Sequence, residues 1–117
     1  MGGGKSGLFK GTKGSLYIKK GQQDKHIPGT NNYKQELAKG VHKSILTADP
    51  ERLLREFAGK GERISPTKER INFGEIIGRY YDPKTQLYYD TTWGIIHYDN
   101  NGGAHIVPAY PRGDLLP

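Results

Sequence analysis

The chain has 117 residues, 33% of them hydrophobic, with 17 Gly, no Cys and a formal net charge of +6. That length suits one core and excludes a second independent one, while the lack of Cys excludes a disulfide framework and a zinc-thiolate site. No stretch approaches the roughly 18 apolar residues of a membrane helix, and the Gly/Lys start lacks the apolar centre of a signal peptide, so export is expected to be directed from outside this segment.

Residues 1–20 read as a flexible, basic, Gly-rich arm and residues 21–117 as the folded domain. Residues 1–25 hold six Lys against the single Asp24, or +5, which leaves +1 for the rest. Such a balance suits an anionic polymer, because Lys displaces counterions from phosphates whatever the base sequence; a solvated linker is the plainer reading. Gly4-Lys5-Ser6 has only the end of a phosphate-binding loop, since the glycine five residues before Gly4 cannot exist. Asn32 is expected to cap a helix whose apolar stripe runs through Tyr33, Leu37, Val41 and Ile45, with Gly40 weakening its middle. A second helix is better signalled. Asp49 is its cap, Pro50 sits in the first turn where no amide donor is needed, Leu53, Leu54 and Phe57 form its buried face, and Gly59 ends it.

From residue 70 onward, β-branched and aromatic residues fall in short runs separated by Asp, Asn, Gly and Pro, a strand pattern. Residues 71–81 read as one long or bent strand, 82–85 as a turn, 86–89 as a short partner, 92–98 as a third strand and 104–107 as a fourth. Asp99-Asn100-Asn101-Gly102-Gly103 supplies the hairpin turn. The expected architecture is α+β, with two N-terminal helices packed on one face of a four-stranded antiparallel sheet. Along the third strand, Trp93, Ile95 and His97 point one way and Thr92, Gly94, Ile96 and Tyr98 the other. If the turn sets His97 opposite His105, both imidazoles share a face with Trp93, Ile95 and Val107; a slip of one residue separates them.

Cleaving an RNA phosphodiester needs a base for the 2′-hydroxyl proton, an acid for the leaving 5′-oxygen and cations around the phosphorane. Imidazole suits both proton roles because its pKa lies near the working pH. One candidate cluster is Lys25-His26-Ile27-Pro28-Gly29-Thr30, a cation, a titrating group and a hydroxyl beside a helix N-terminus; the bland alternative is a loop with a solvent-facing His and a locally capping Thr. The other is Thr92-Trp93-Gly94-Ile95-Ile96-His97-Tyr98 with Ala104-His105-Ile106-Val107-Pro108, whose bland alternative is a hairpin with hydrogen-bonded, half-buried histidines. His42, one position off the helical stripe, is expected to flank solvent and is left out. Tyr80, Tyr81, Tyr88 and Tyr89 bunch around one turn, where bases could stack, although at least two of them are expected to pack the sheet against the helices.

Lys25-His26-Ile27-x-Gly29-Thr30, followed by Ile96-His97-Tyr98 and Gly103-x-His105-Ile106-Val107-Pro108-Ala109, resembles the polymorphic toxin type 50 domain over roughly residues 20–111. The resemblance implies a ribonuclease of the barnase/EndoU/colicin/RelE-like fold at the end of a secreted or phage-associated bacterial protein, delivered into the cytoplasm of a target cell. It implies His26 and His105 as the proton-transfer pair, Lys25 for phosphorane charge, Thr30 and Thr92 as hydroxyl donors to phosphate, and His97 in reserve. Related sequences often carry Lys at the position of Gln22 and Ser-Lys at Asp99-Asn100, so Lys25 gains weight here. No cofactor and no metal are expected. The expected partners are an RNA substrate and an immunity protein with an acidic face, and the expected state is a monomer. Two other readings compete. An HNH-like metal nuclease is one, but its motif continues into a helix, and only nine residues containing Pro111, Gly113 and Pro117 follow Pro108. A silent nucleic-acid-binding or phage accessory module is the other.

Overall fold

The computed structural model describes residues 16–111. In chain order they form β1 (Tyr17–Ile18), α1 (Lys20–Gln23), a 3-10 turn (Asp24–His26), α2 (Asn31–Ala38), β2 (Ile45–Leu46), α3 (Pro50–Phe57), β3 (Glu62–Ser65), β4 (Lys68–Asn72), β5 (Gly78–Asp82), β6 (Leu87–Thr91), β7 (Trp93–Tyr98) and β8 (Gly103–Pro108). Gly4-Lys5-Ser6 and the rest of 1–15 lie outside the described residues. Tyr17–Ile18, within the expected arm, pairs with β8.

The strands form two sheets rather than one, which overturns the expected barnase/EndoU/colicin/RelE-like layout of two helices on a four-stranded antiparallel sheet. One sheet has five strands in the order β1-β8-β7-β4-β3, with β1 parallel to β8 and the other pairs antiparallel; the second has three antiparallel strands in the order β2-β5-β6. The cause lies within residues 71–81. Asn72 Oδ1 accepts from the Gly74 amide at 3.1 Å, breaking the extended run, and Phe73 and Ile77 drop into the core. The chain then resumes as β5 beside β2. A Cβ on Gly78 would collide with the Ile45 carbonyl, so this close approach requires glycine.

The first expected helix is also shorter than its apolar stripe suggests. Thr30, not Asn32, caps α2, its Oγ1 accepting from the Tyr33 amide at 3.2 Å. The helix ends at Ala38, and Gly40 turns the chain away with φ 83°. The stripe therefore never forms: Leu37 and Val41 stay exposed, and Ile45 enters a strand. α3 follows its sequence signals, with Asp49 Oδ1 accepting from the Glu51 amide at 3.0 Å, Pro50 in its first turn, and Leu53 and Leu54 buried.

The core joins Leu46, Leu53, Leu54, Ile71, Phe73, Ile77, Ile96 and Ile106 between α3 and the inner face of the larger sheet. Phe57 meets Phe73 edge-on at 4.9 Å. Glu69, only 1% exposed, accepts from the Gly59 amide at 3.0 Å, the Gly61 amide at 2.7 Å and the Tyr98 hydroxyl at 2.6 Å. Its carboxylate thus ties the exit of α3 to β4, with its charge met by donors. Among the described residues no helix is long and apolar enough to cross a membrane.

Candidate active site

β7 and β8 pair in the register that sets His97 opposite His105. Burial alternates along both strands. Ile96, Tyr98, Ala104 and Ile106 enter the core, which leaves Trp93, Ile95, His97, His105 and Val107 on the opposite, half-exposed face. The two imidazoles stack with centroids 4.7 Å apart and planes 12° from parallel. On the next strand Lys68 pairs with His97, so its exposed side chain shares that face.

A second segment brings His26 to the same place. Strand β1 covers β8 only at Gly103 and Ala104. Beyond that point the Gln23 side chain replaces it: Nε2 donates to the Ile106 carbonyl at 2.9 Å, and Oε1 accepts from the Ile106 amide at 2.8 Å. An amide can act as both donor and acceptor, as a neighbouring peptide would, so β8 stays satisfied while α1 is fixed on its edge. The 3-10 turn then carries His26 over His105, with centroids 6.2 Å apart and planes 16° from parallel. His26 is 6% exposed, and its Nδ1 lies 2.9 Å from the Ser44 carbonyl. A carbonyl can only accept, so Nδ1 carries the proton and Nε2 keeps its lone pair.

His26, His105 and His97 therefore form a row, and their surroundings hold the rings neutral. Burial lowers His97 to about 4, with help from Lys68 and His26. Burial also lowers His105 to about 4, aided by His97, His26, Lys25 and Lys19. For His26, burial outweighs the raising effect of the Ser44 hydrogen bond, and Lys43 and Lys25 push the same way as burial. A cationic site full of neutral imidazoles favours an anionic ligand, whose charge would raise all three.

Lys25, half-buried on the 3-10 turn, belongs to this group through its effect on His26 and His105. Thr30 and Thr92 are placed differently from each other. The Thr30 hydroxyl serves the turn, lying 2.7 Å from the Asp24 carbonyl and 2.8 Å from that of Ile27 while capping α2. Thr92 precedes β7, about 17 Å along the strand from His97. Gln22 and Asp99 line a hollow of about 280 Å³ beside His97 and His105, where Asp99 pairs with Lys19 at 3.0 Å. Lys68, Lys43, Gln23 and Ser44 were not anticipated from sequence. The pairing of β4 with β7 and the contact of residue 44 with the 3-10 turn are long-range facts with no local signature. Among the described residues no group of three or more His, Cys, Asp or Glu is placed to share a metal ion.

The family model for bacterial toxin 50 matches residues 18–108, and the chain belongs to that family. No curated protein and no solved structure matches it.

Proposed function

We propose that the domain is a metal-independent endoribonuclease in which His26 and His105 exchange protons with one scissile phosphodiester. The observation that carries this reading is the row of stacked rings His26, His105 and His97, in which the contact of His26 Nδ1 with the Ser44 carbonyl leaves Nε2 as the basic nitrogen. His26 Nε2 takes the 2′-hydroxyl proton as that oxygen attacks phosphorus. His105, protonated once the phosphate is bound, gives a proton to the departing 5′-oxygen. The products are a 2′,3′-cyclic phosphate and a 5′-hydroxyl end. Lys25, Lys68 and Lys43 offset charge on the phosphorane, and His97 stacks behind His105 to hold its ring. Since the lysines also suit a carboxylate-rich cover, the producing cell is expected to hold an immunity protein that competes with RNA for this face; simultaneous binding of both would refute that cover.

The test is incubation of purified domain with total RNA in chelator and mapping of the new termini. Cleavage should persist in chelator, leave cyclic phosphate ends, spare DNA, and fall at least about a hundredfold in His26→Ala and His105→Ala. Loss of cutting in chelator, or full activity of both variants, overturns the mechanism.

A further inference from the structure

A second hollow, of about 770 Å³, is lined by Gly40, His42, Tyr81, Pro83, Gln86 and Tyr88. We infer that it is a nucleobase-stacking subsite for the RNA strand next to the scissile phosphate, an inference that rests on the proposed ribonuclease chemistry. Its floor is a shelf of rings. His42 stacks on Tyr81 at 5.2 Å and 27°, and Tyr81 meets Tyr88 at 5.0 Å. These rings lie outside the core: His42 is exposed, and Tyr81 and Tyr88 are half-buried. The exposed His42 ring, backed by Tyr81, offers a flat π-face that accepts any base and needs no sequence-specific partner.

Two features make the shelf part of the histidine site. Ser44 serves both, because its carbonyl accepts from His26 Nδ1 at 2.9 Å and its Oγ accepts from the Tyr81 amide at 2.9 Å. His42 is two residues earlier, about 7 Å of extended chain and within reach of a neighbouring nucleotide. Between them stands Lys43, whose charge bears on His26 and whose carbonyl lies 3.4 Å from the Tyr88 hydroxyl. A backbone phosphate passing from the imidazole row to the shelf would thus meet a cation.

The rim adds a polar reader. Gln86 sits at φ 62°, in the left-handed region that disfavours side chains, with its amide donating to the Asp82 carbonyl at 2.7 Å. Glycine would take this conformation without strain, so what the residue contributes is an amide able to donate to and accept from a base edge. The hollow's size lies within the range of about 300–1,000 Å³ for small-ligand pockets.

The probe is a single-stranded RNA oligonucleotide methylated at every 2′-oxygen, which binds without being cut. His42→Ala should weaken its binding roughly 5- to 150-fold, and His42→Phe, which restores an aromatic face, should recover most of that loss. An oligonucleotide of the same length with abasic sites should bind wild type and His42→Ala alike. Unchanged affinity in His42→Ala, or an equal loss with the abasic strand, overturns the subsite. Cleavage of unmodified RNA is scored separately. Cutting combined with His42-independent binding removes the subsite and keeps the enzyme, whereas His42-dependent binding without cutting keeps the subsite and removes the enzyme.

Discussion

His97 and His105, placed in the candidate site, are also a liability for the stability of the fold. Each is held to about 4 in the folded chain, first by burial and then by nearby positive charge, against about 6.5 when unfolded. Between these values the unfolded chain binds protons that the folded chain refuses. Stability is therefore full above pH 6.5, falls as pH drops toward 4, and has lost the whole contribution below that. Partial solvent screening reduces the effect, which should still be on the order of 2 kcal/mol for the pair. Urea midpoints at pH 7, 5.5 and 4.5 measure it, and a flat series would contradict neutral burial. Lys68 offers a finer check. Removing its charge in Lys68→Gln should raise the His97 titration seen by NMR, yet leave it below 6.5, because burial is the larger cause. No movement would mean that Lys68 does not face His97 in solution.

At the scale of elements, Gln23 does the work of a missing strand residue. Gln23→Leu keeps side-chain bulk but leaves the Ile106 amide and carbonyl without their partners in a buried place. The expected cost is about 2–4 kcal/mol by chemical denaturation, and cleavage should fall as well, since His26 is carried on the same short segment. An unchanged midpoint would show that water or backbone replaces the amide. This element was invisible to periodicity, because a four-residue helix has no stripe to read. The legible parts were those with local chemistry: the Asp49-Pro50 start of α3, the turn at residues 99–103, and the alternation that put His97 and His105 on one face. Residues 71–81 read as one strand because Ile71, Phe73, Ile76, Ile77, Tyr80 and Tyr81 outweigh Asn72, Gly74 and Gly78, whereas the chain breaks where Asn72 turns back on Gly74 and Phe73 and Ile77 find a core. The missed β3–β4 hairpin did leave a trace: Glu62-Arg63-Ile64 and Glu69-Arg70-Ile71 repeat around Pro66. The pairing sets Glu62 against Arg70 and Arg63 against Glu69, the opposite-charge arrangement that antiparallel strands favour.

For the molecule as a whole, net charge says little about where an anion would lie, whereas the fold gathers particular lysines around the histidine row. Lys19 precedes α1, Lys25 lies on the 3-10 turn, Lys43 precedes β2 and Lys68 opens β4, yet each bears on a ring of the histidine row. Glu36 and Asp99 partly offset them. Glu36 lies 3.2 Å from Lys39 and 4.0 Å from Lys43, while Asp99 holds Lys19 at 3.0 Å. Lys25 and Lys68 take part in none of these ion pairs, so they should contribute most to binding a phosphate chain. Neutralising Z phosphates on single-stranded RNA gives a slope of log affinity against log salt of about −0.7Z, and four lysines correspond to a slope near −3. Lys25→Gln and Lys68→Gln should each flatten that slope by roughly 0.7 for the uncleavable oligonucleotide. Lys19→Gln should change it less, because Asp99 already neutralises Lys19 in the free protein. Equal slopes for all three variants would place the RNA elsewhere on the surface and separate the polymer's path from the imidazole row.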